Sequence, residues 1–433
     1  MSQPMATDSI MKPVKMRHCL SGEAGHDAQT ATAMATKSIK RNLFAWLVAL
    51  TGFALGGVTQ AANPKLEFWD QPRHGANCFN RVIAPDYFRS ARAAGIEFLR
   101  LAPDKWPAQG RDFLIGNADD FTQLNAADLK KLRETLDQAH AAGVKVVLTM
   151  ISLPGARWRQ LNGGKNDDRL WREEKYLAQA EQFWAQLAAA LKEHPAVVGY
   201  NPLNEPHPER GDGFTDFWSQ DLRAWHERRR GSSFDPNRFN ERLVAAIRRE
   251  DAHTPIILDA AVYAAAPAFE ILTPVNEAGV LYSLHLYEPY EFTNFKTNAG
   301  RFQYPGAVEV GENRRRIEWN AAELSRFVQP VRDWMERHHV PAKRILVGEF
   351  GCDRRVPGAV EYLRDVTALF GAKRWHWAFY AYREDEWDAM DYECGTKKLP
   401  WSYWKAVEAG ENPAFPHQPN PLWDVLQSHL RRP

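Results

Sequence analysis

Eight short apolar runs, each followed by a stretch of helical periodicity, constrain this chain more than any other feature. After residue 62 the runs fall near 74–79, 97–102, 144–151, 196–203, 255–261, 279–286, 344–349 and 374–380. Amphipathic segments at 85–94, 126–142, 175–193, 236–251, 320–338 and 359–370 lie between them. A hydrophobic period near two that gives way repeatedly to one of 3.6 predicts parallel strands joined by crossover helices. Eight such units in one chain predict a closed α/β barrel, the (β/α)8 or TIM barrel, rather than an open doubly wound sheet. No G-x-G-x-x-G turn follows the first run, which sets dinucleotide binding aside. Without an internal repeat or a Pro/Ser/Gly-rich linker, residues 63–433 read as a single catalytic domain.

The N-terminus reads as an address rather than as part of that domain. Lys37, Lys40 and Arg41 precede an uncharged run from Leu43 to Val58, and small residues follow at 59–62. This order is that of a Sec-type signal peptide over 34–62, with cleavage expected after Ala61 or Ala62 and a secreted or periplasmic product. Residues 1–33 form an extension without apolar periodicity, and Met34 would begin a signal of ordinary length. The formal net charge is +1 with both signs interspersed, so neither nucleic acid nor a membrane surface is expected as a partner. A monomer is expected. Of the cysteines that remain, Cys352 and Cys394 are the expected bridge, and Cys78 is left over. No His- or Cys-rich spacing suggests a metal or other cofactor.

The chemistry is expected at the strand ends. The fourth run, VVGYNPLNEPHPE, delivers Asn204 and Glu205 where the chain leaves the barrel, and the seventh, RILVGEFG, ends on Glu349. Charged residues that terminate two buried parallel strands face the same C-terminal mouth. Cleavage of a glycosidic bond needs such a pair, one carboxyl to protonate the leaving oxygen and one to attack or to activate water. Sixteen Trp, 13 Tyr and 22 Phe would suit a groove that stacks sugar faces, although large barrels also bury many aromatics. Trp158, Trp171, Phe214, Phe217, Trp218, Trp225, Tyr290, Phe292, Phe295, Tyr304, Trp387 and Tyr392 lie in the long loops, and more than half of them are expected to serve packing alone.

These motifs resemble glycoside hydrolase family 5, the cellulase-like barrels with catalytic glutamates on strands four and seven. The resemblance runs from about Pro72 to Trp404. It implies Glu205 as acid/base and Glu349 as nucleophile of a retaining, two-step reaction on a β-linked glucan or mannan. A transglycosylase, or a sugar-binding barrel without turnover, are its alternatives. It further implies that Arg100, in EFLRLAPDKW, bonds the nucleophile and keeps it ionised, and that Asn204 binds the sugar 2-hydroxyl. His285 and Tyr287, in YSLHLYEPY, would contact the two carboxyls, and Asn77, in HGANCFN, would lie near the cleft. In RWHWAFYAYRE, Trp377 or Tyr380 would supply the aromatic floor, Trp377 with a slight preference. One departure is visible. In KVVLTMISLPG, Thr149 and Ile151 stand where the family often has Asp and His, so a polar sugar contact is expected to be lost.

Overall fold

The computed structural model of the protein describes residues 63–384, 390–397 and 399–431, all within one unit. The expected extension, the signal segment and Trp387 lie outside the described residues. The barrel strands are β1 (His74–Cys78), β2 (Phe98–Leu101), β3 (Lys145–Thr149), β4 (Val197–Asn201), β5 (Ile256–Asp259), β6 (Val280–Leu286), β9 (Ile345–Phe350) and β10 (His376–Phe379). They close in the order β1-β2-β3-β4-β5-β6-β9-β10, every pair parallel. Each of the eight expected strands is present, within two residues of its expected bounds at most ends.

Two layers fill the barrel. The lower one is apolar and combines Phe98, Val147, Val198, Ile257, Leu281, Leu346 and Ala378 with Trp69, a residue of the segment that precedes β1. Trp69 is wholly buried and its indole Nε1 donates to the Val198 carbonyl at 2.8 Å. Two residues further along several strands the side chains on the same inward face are polar: Asn77, Arg100, Thr149 and Asp259, with Ser283 and His285 on β6. A sealed floor of hydrocarbon therefore sits beneath a buried ring of charge.

The crossover helices follow their capping residues. Asn125 accepts from the backbone N–H groups of Ala127 and Asp128 to start Ala126–Ala141, and Asp235 accepts from Asn237 to start Pro236–Glu250. The helix expected over 320–338 is two, Ala321–Phe327 and Gln329–His338. Pro330 explains the break, because its ring clashes with the preceding turn and it has no N–H to donate. Between β6 and β9 the chain inserts an antiparallel hairpin, β7 (Gly306–Val310) with β8 (Arg315–Trp319), where only a loop was expected. Val308, Val310, Ile317 and Trp319 turn inward at alternate positions, a period-two signal the sequence does contain.

The expected Cys352–Cys394 bridge is not formed. Cys352 is a free thiol whose Sγ faces the Ala359 carbonyl, while Cys394 packs with Leu399, Tyr403, Trp404 and Val407 in a separate cluster. The Tyr392 hydroxyl accepts from the Cys352 N–H and donates to its carbonyl, both at 2.9 Å, and ties the two segments instead.

Trp69 is a plug supplied from outside the strand sequence, so its loss opens a large hole at the barrel floor. Trp69→Ala is expected to lower stability by about 3–5 kcal/mol, measured by denaturant unfolding, with an unchanged far-ultraviolet spectrum.

Candidate active site

The polar layer converges on Arg100. Its side chain is completely buried, and Nη1 donates to Asn77 Oδ1 (2.8 Å), the Gly348 carbonyl (3.2 Å) and Glu349 Oε1 (2.9 Å). Nη2 donates to Asn201 Oδ1 (2.6 Å), Asn204 Oδ1 (2.9 Å) and Asp259 Oδ2 (3.4 Å). One planar cation thereby fixes side chains from β1, β4, β5, β9 and the turn after β4. Asn77, expected near the cleft, sits behind Arg100 and touches Glu349 only through it. It is wholly buried, and its Nδ2 donates to the carbonyls of Gly348, Ala378 and Phe379, so it braces Arg100 from below.

The two glutamates meet across the mouth. An oxygen of Glu205 and an oxygen of Glu349 lie within 4.8 Å of each other and of a His285 ring nitrogen. Glu205 stands four residues past the end of β4, in a turn that gives it a φ of 52°. Its N–H donates to Asp259 Oδ2 at 3.2 Å, and that anchor offsets the unfavourable left-handed conformation of a residue with a side chain. Glu205 Oε1 lies 2.9 Å from His285 Nδ1. Glu349 Oε2 accepts from the Tyr287 hydroxyl at 2.8 Å, so both of its oxygens are engaged by protein donors. Its side chain is 5% exposed, against 19% for Glu205, which makes Glu205 the more accessible of the pair.

The same surroundings set the protonation states. Burial first, and then the charge of Asp259, lift the Glu205 carboxyl to about 8, with Arg100 opposing. Burial also raises Glu349, against the pull of His285, Arg100 and the Tyr287 hydrogen bond. Arg100 acts in the expected direction, favouring the ionised form of Glu349, but burial outweighs it, so it limits a rise that would otherwise be larger. Two acids this close disfavour double ionisation, and the guanidinium on Glu349 favours the charge on that residue. Burial lowers His285, so its ring is neutral at neutral pH. A cation held by Glu205, His285 and Glu349 would have to displace Arg100 and Tyr287 from Glu349, so these donors are poorly disposed to bind a metal.

Strand β10 decides between the two expected floor residues. Trp377 points outward, fully buried, stacked on His74 at 4.1 Å and edge-on to Phe350, so the preferred residue is the wrong one. Tyr380 stands just past the strand, edge-on to Phe79, and its hydroxyl bears electrostatically on Tyr287. Thr149 is also buried, and its hydroxyl donates to Asn201 Oδ1 at 2.6 Å. The departure from the family pattern on β3 thus supports a ligand of Arg100. Among the loop aromatics, Trp171, Phe214, Trp225, Phe292, Tyr304 and Tyr392 are buried in packing, whereas Tyr290 and Phe295 are exposed.

Sequence reasoning missed Asp259 and Asn201. Asp259 closes the apolar run IILD as Glu349 closes RILVGE, so the same rule of a charge at a strand end points to it. His207 and Tyr263, stacked at 4.3 Å beside Glu205, were missed as well. Tyr263 belongs to a run of three left-handed residues, Val262, Tyr263 and Ala264, which no sequence signal announces.

The sequence model described as Cellulase (glycosyl hydrolase family 5) matches residues 63–406. A β-xylosidase of Phanerodontia chrysosporium is 25% identical over 334 residues, 75% of this chain and 57% of its own length. Endoglucanase B of Clostridium cellulovorans is 24% identical over 270 residues, 59% of this chain and 49% of its own. The chain thus spans about half the length of the curated relatives it matches. Structures of Thermotoga maritima Cel5A in complex with cellobiose and with mannotriose share the fold at TM-scores of 0.54 and 0.55, with 17% identity over 84% of this chain and 99% of theirs.

Glu205 also leaves a signature in stability. Between 4.5, its ordinary value, and about 8, the folded chain keeps a proton on this residue that the unfolded chain releases. The folded state binds more protons there, so Glu205 makes stability fall as pH rises through that window. Denaturant unfolding from pH 4 to 9 is expected to show a shallower decline in Glu205→Gln than in the parent.

Proposed function

Because this chain belongs to the cellulase family, glycosyl hydrolase family 5, we propose that it is a retaining glycoside hydrolase acting on β-linked glucan- or mannan-type chains. The observation that carries the reading is the approach of one Glu205 oxygen to one Glu349 oxygen within 4.8 Å, in unlike surroundings. Retaining enzymes hold their carboxyls about 5–5.5 Å apart and inverting ones about 6.5–9.5 Å, so the spacing favours direct attack over activation of water.

In the first step Glu349, oriented by Arg100 and Tyr287, attacks the anomeric carbon while Glu205 gives its proton to the departing oxygen. The Glu349 ester that forms has lost its charge. Glu205, now a carboxylate, takes a proton from water, and the hydroxide equivalent releases the sugar with its configuration kept. Asn204, whose Oδ1 is held by Arg100, turns its amide N–H groups toward the sugar 2-hydroxyl, and Tyr380 lies under the ring. Exposed Tyr290 offers a stacking face further along the cleft. A monomer belongs to the same reading. The choice of β-linked glycans leans on the relatives, whose names include an endoglucanase and a β-xylosidase. Export through residues 34–62 belongs to the same reading, and no described helix is long and apolar enough to cross a membrane.

A panel of β-linked polysaccharides and aryl glycosides tests it, with Glu349→Ala as control. Turnover by the parent and none by the variant is expected; hydrolysis that survives in Glu349→Ala removes the nucleophile. Proton NMR of the first product should show the anomer of the substrate, and the opposite anomer would mean inversion. Glu205→Gln is expected to lose about 10²–10⁴-fold on glycans and far less on aryl glycosides whose leaving group needs no proton. In the parent, kcat/KM should fall above pH about 8, where Glu205 loses its proton.

A further inference from the structure

Asp259 ends β5 on the same rim as the two glutamates, and its side chain is completely buried. Its Oδ2 faces three groups at once: Arg100 Nη2 at 3.4 Å, the Glu205 N–H at 3.2 Å and His285 Nε2 at 3.5 Å. On the far side of the imidazole, Nδ1 lies 2.9 Å from Glu205 Oε1 and 3.8 Å from Glu349 Oε2. A neutral imidazole carries one N–H, so only one of its nitrogens can donate. A bare Nε2 would aim its lone pair at the Asp259 carboxylate in a dry interior, whereas an Nε2–H turns the same contact into an attraction.

On the reading of Glu205 as acid/base, we infer that Asp259 is a positioning residue that holds His285 as the Nε2–H tautomer, leaving Nδ1 to accept the proton of Glu205. The consequence reaches both steps. Before cleavage, an acceptor at Nδ1 favours the protonated carboxyl, in the same direction as the charge of Asp259 itself. After the proton has passed to the leaving oxygen, the Glu205 carboxylate faces a nitrogen lone pair and becomes a stronger base toward water. Gly348 makes room for this arrangement: a Cβ there would sit 3.0 Å from His285 Nε2 and 2.6 Å from Ser283 Oγ.

The groups that bear on His285 are Arg100 from β2, Glu205 from the turn after β4, Asp259 from β5, Ser283 beside it on β6, and Glu349 from β9, whose other neighbour is Tyr287 just past β6. Ser283 Oγ is buried and makes no hydrogen bond to Nε2; a donation from it would favour the opposite tautomer.

Two measurements on the full chain decide the matter. Nitrogen-15 NMR of histidine-labelled parent protein, with the signal assigned through His285→Gln, is expected to show a protonated Nε2 and a bare Nδ1 near pH 7. A protonated Nδ1 overturns the inference, and this result needs no Asp259 variant to fold. In Asp259→Asn, the alkaline limb of the kcat/KM profile on a slow-leaving aryl glycoside is expected to move down by about one pH unit, with the acid limb in place. A loss of activity with both limbs unmoved would mean a merely structural role and overturns it too. If the parent hydrolyses no β-glycan, the proposed reaction fails while the tautomer result still stands; if the parent is active with Nδ1 protonated, only the present inference fails.

Discussion

The buried Arg100 guanidinium is the constraint on which the rest of this site depends. A full positive charge with no exposure to water is tolerable only where its N–H groups meet well-placed acceptors. Two carboxylates, three asparagine oxygens and a backbone carbonyl supply them for Nη1 and Nη2, from five different parts of the barrel, and only Nε is left without a partner among the described residues. Each partner has in turn its own support: Thr149 for Asn201, three carbonyls for Asn77, Tyr287 for Glu349. Rigidity at Glu349 is therefore inherited from the whole upper layer of the barrel.

That layer also makes two chemically identical residues unlike. Glu349 receives a cation and a hydroxyl, and Glu205 receives a neutral imidazole and the nearby charge of Asp259. One proton shared by such a pair has a preferred owner, and on the proposed reading this distinguishes acid from nucleophile before any substrate arrives. The apolar floor contributes by excluding water from below. With Trp69 sealing the barrel under the polar ring, the charges act on one another across a poorly screening interior.

Much of this was legible in the residue pattern, and the failures have identifiable causes. The eight strands follow from alternating periodicity, and Glu205, Glu349, Arg100, His285 and Tyr287 converge because strand ends in a parallel barrel share one mouth. Trp377 and Tyr380 are three residues apart, and since successive strand residues face opposite sides, a single register step moved the expected floor residue to the wrong face. Asn77 shares the polar layer of the barrel but reaches the carboxyls only through Arg100. The β7–β8 hairpin carried a period-two signal hidden inside a long loop. Cys352 and Cys394 pack in separate clusters, and the Tyr392 hydroxyl bonds the Cys352 backbone instead.

The sequence by itself determined the barrel, the side of it that carries charge, and the two acids that end strands four and seven, because periodicity and chain direction are local properties. Only the tertiary structure decided that Glu205 and Glu349 sit in unlike surroundings, that Asp259 and Asn201 join the site, and that Thr149 serves Arg100. Those outcomes depend on distances of a few ångströms between residues up to 249 positions apart, and on how much water is shut out around them. No stretch of sequence records either quantity.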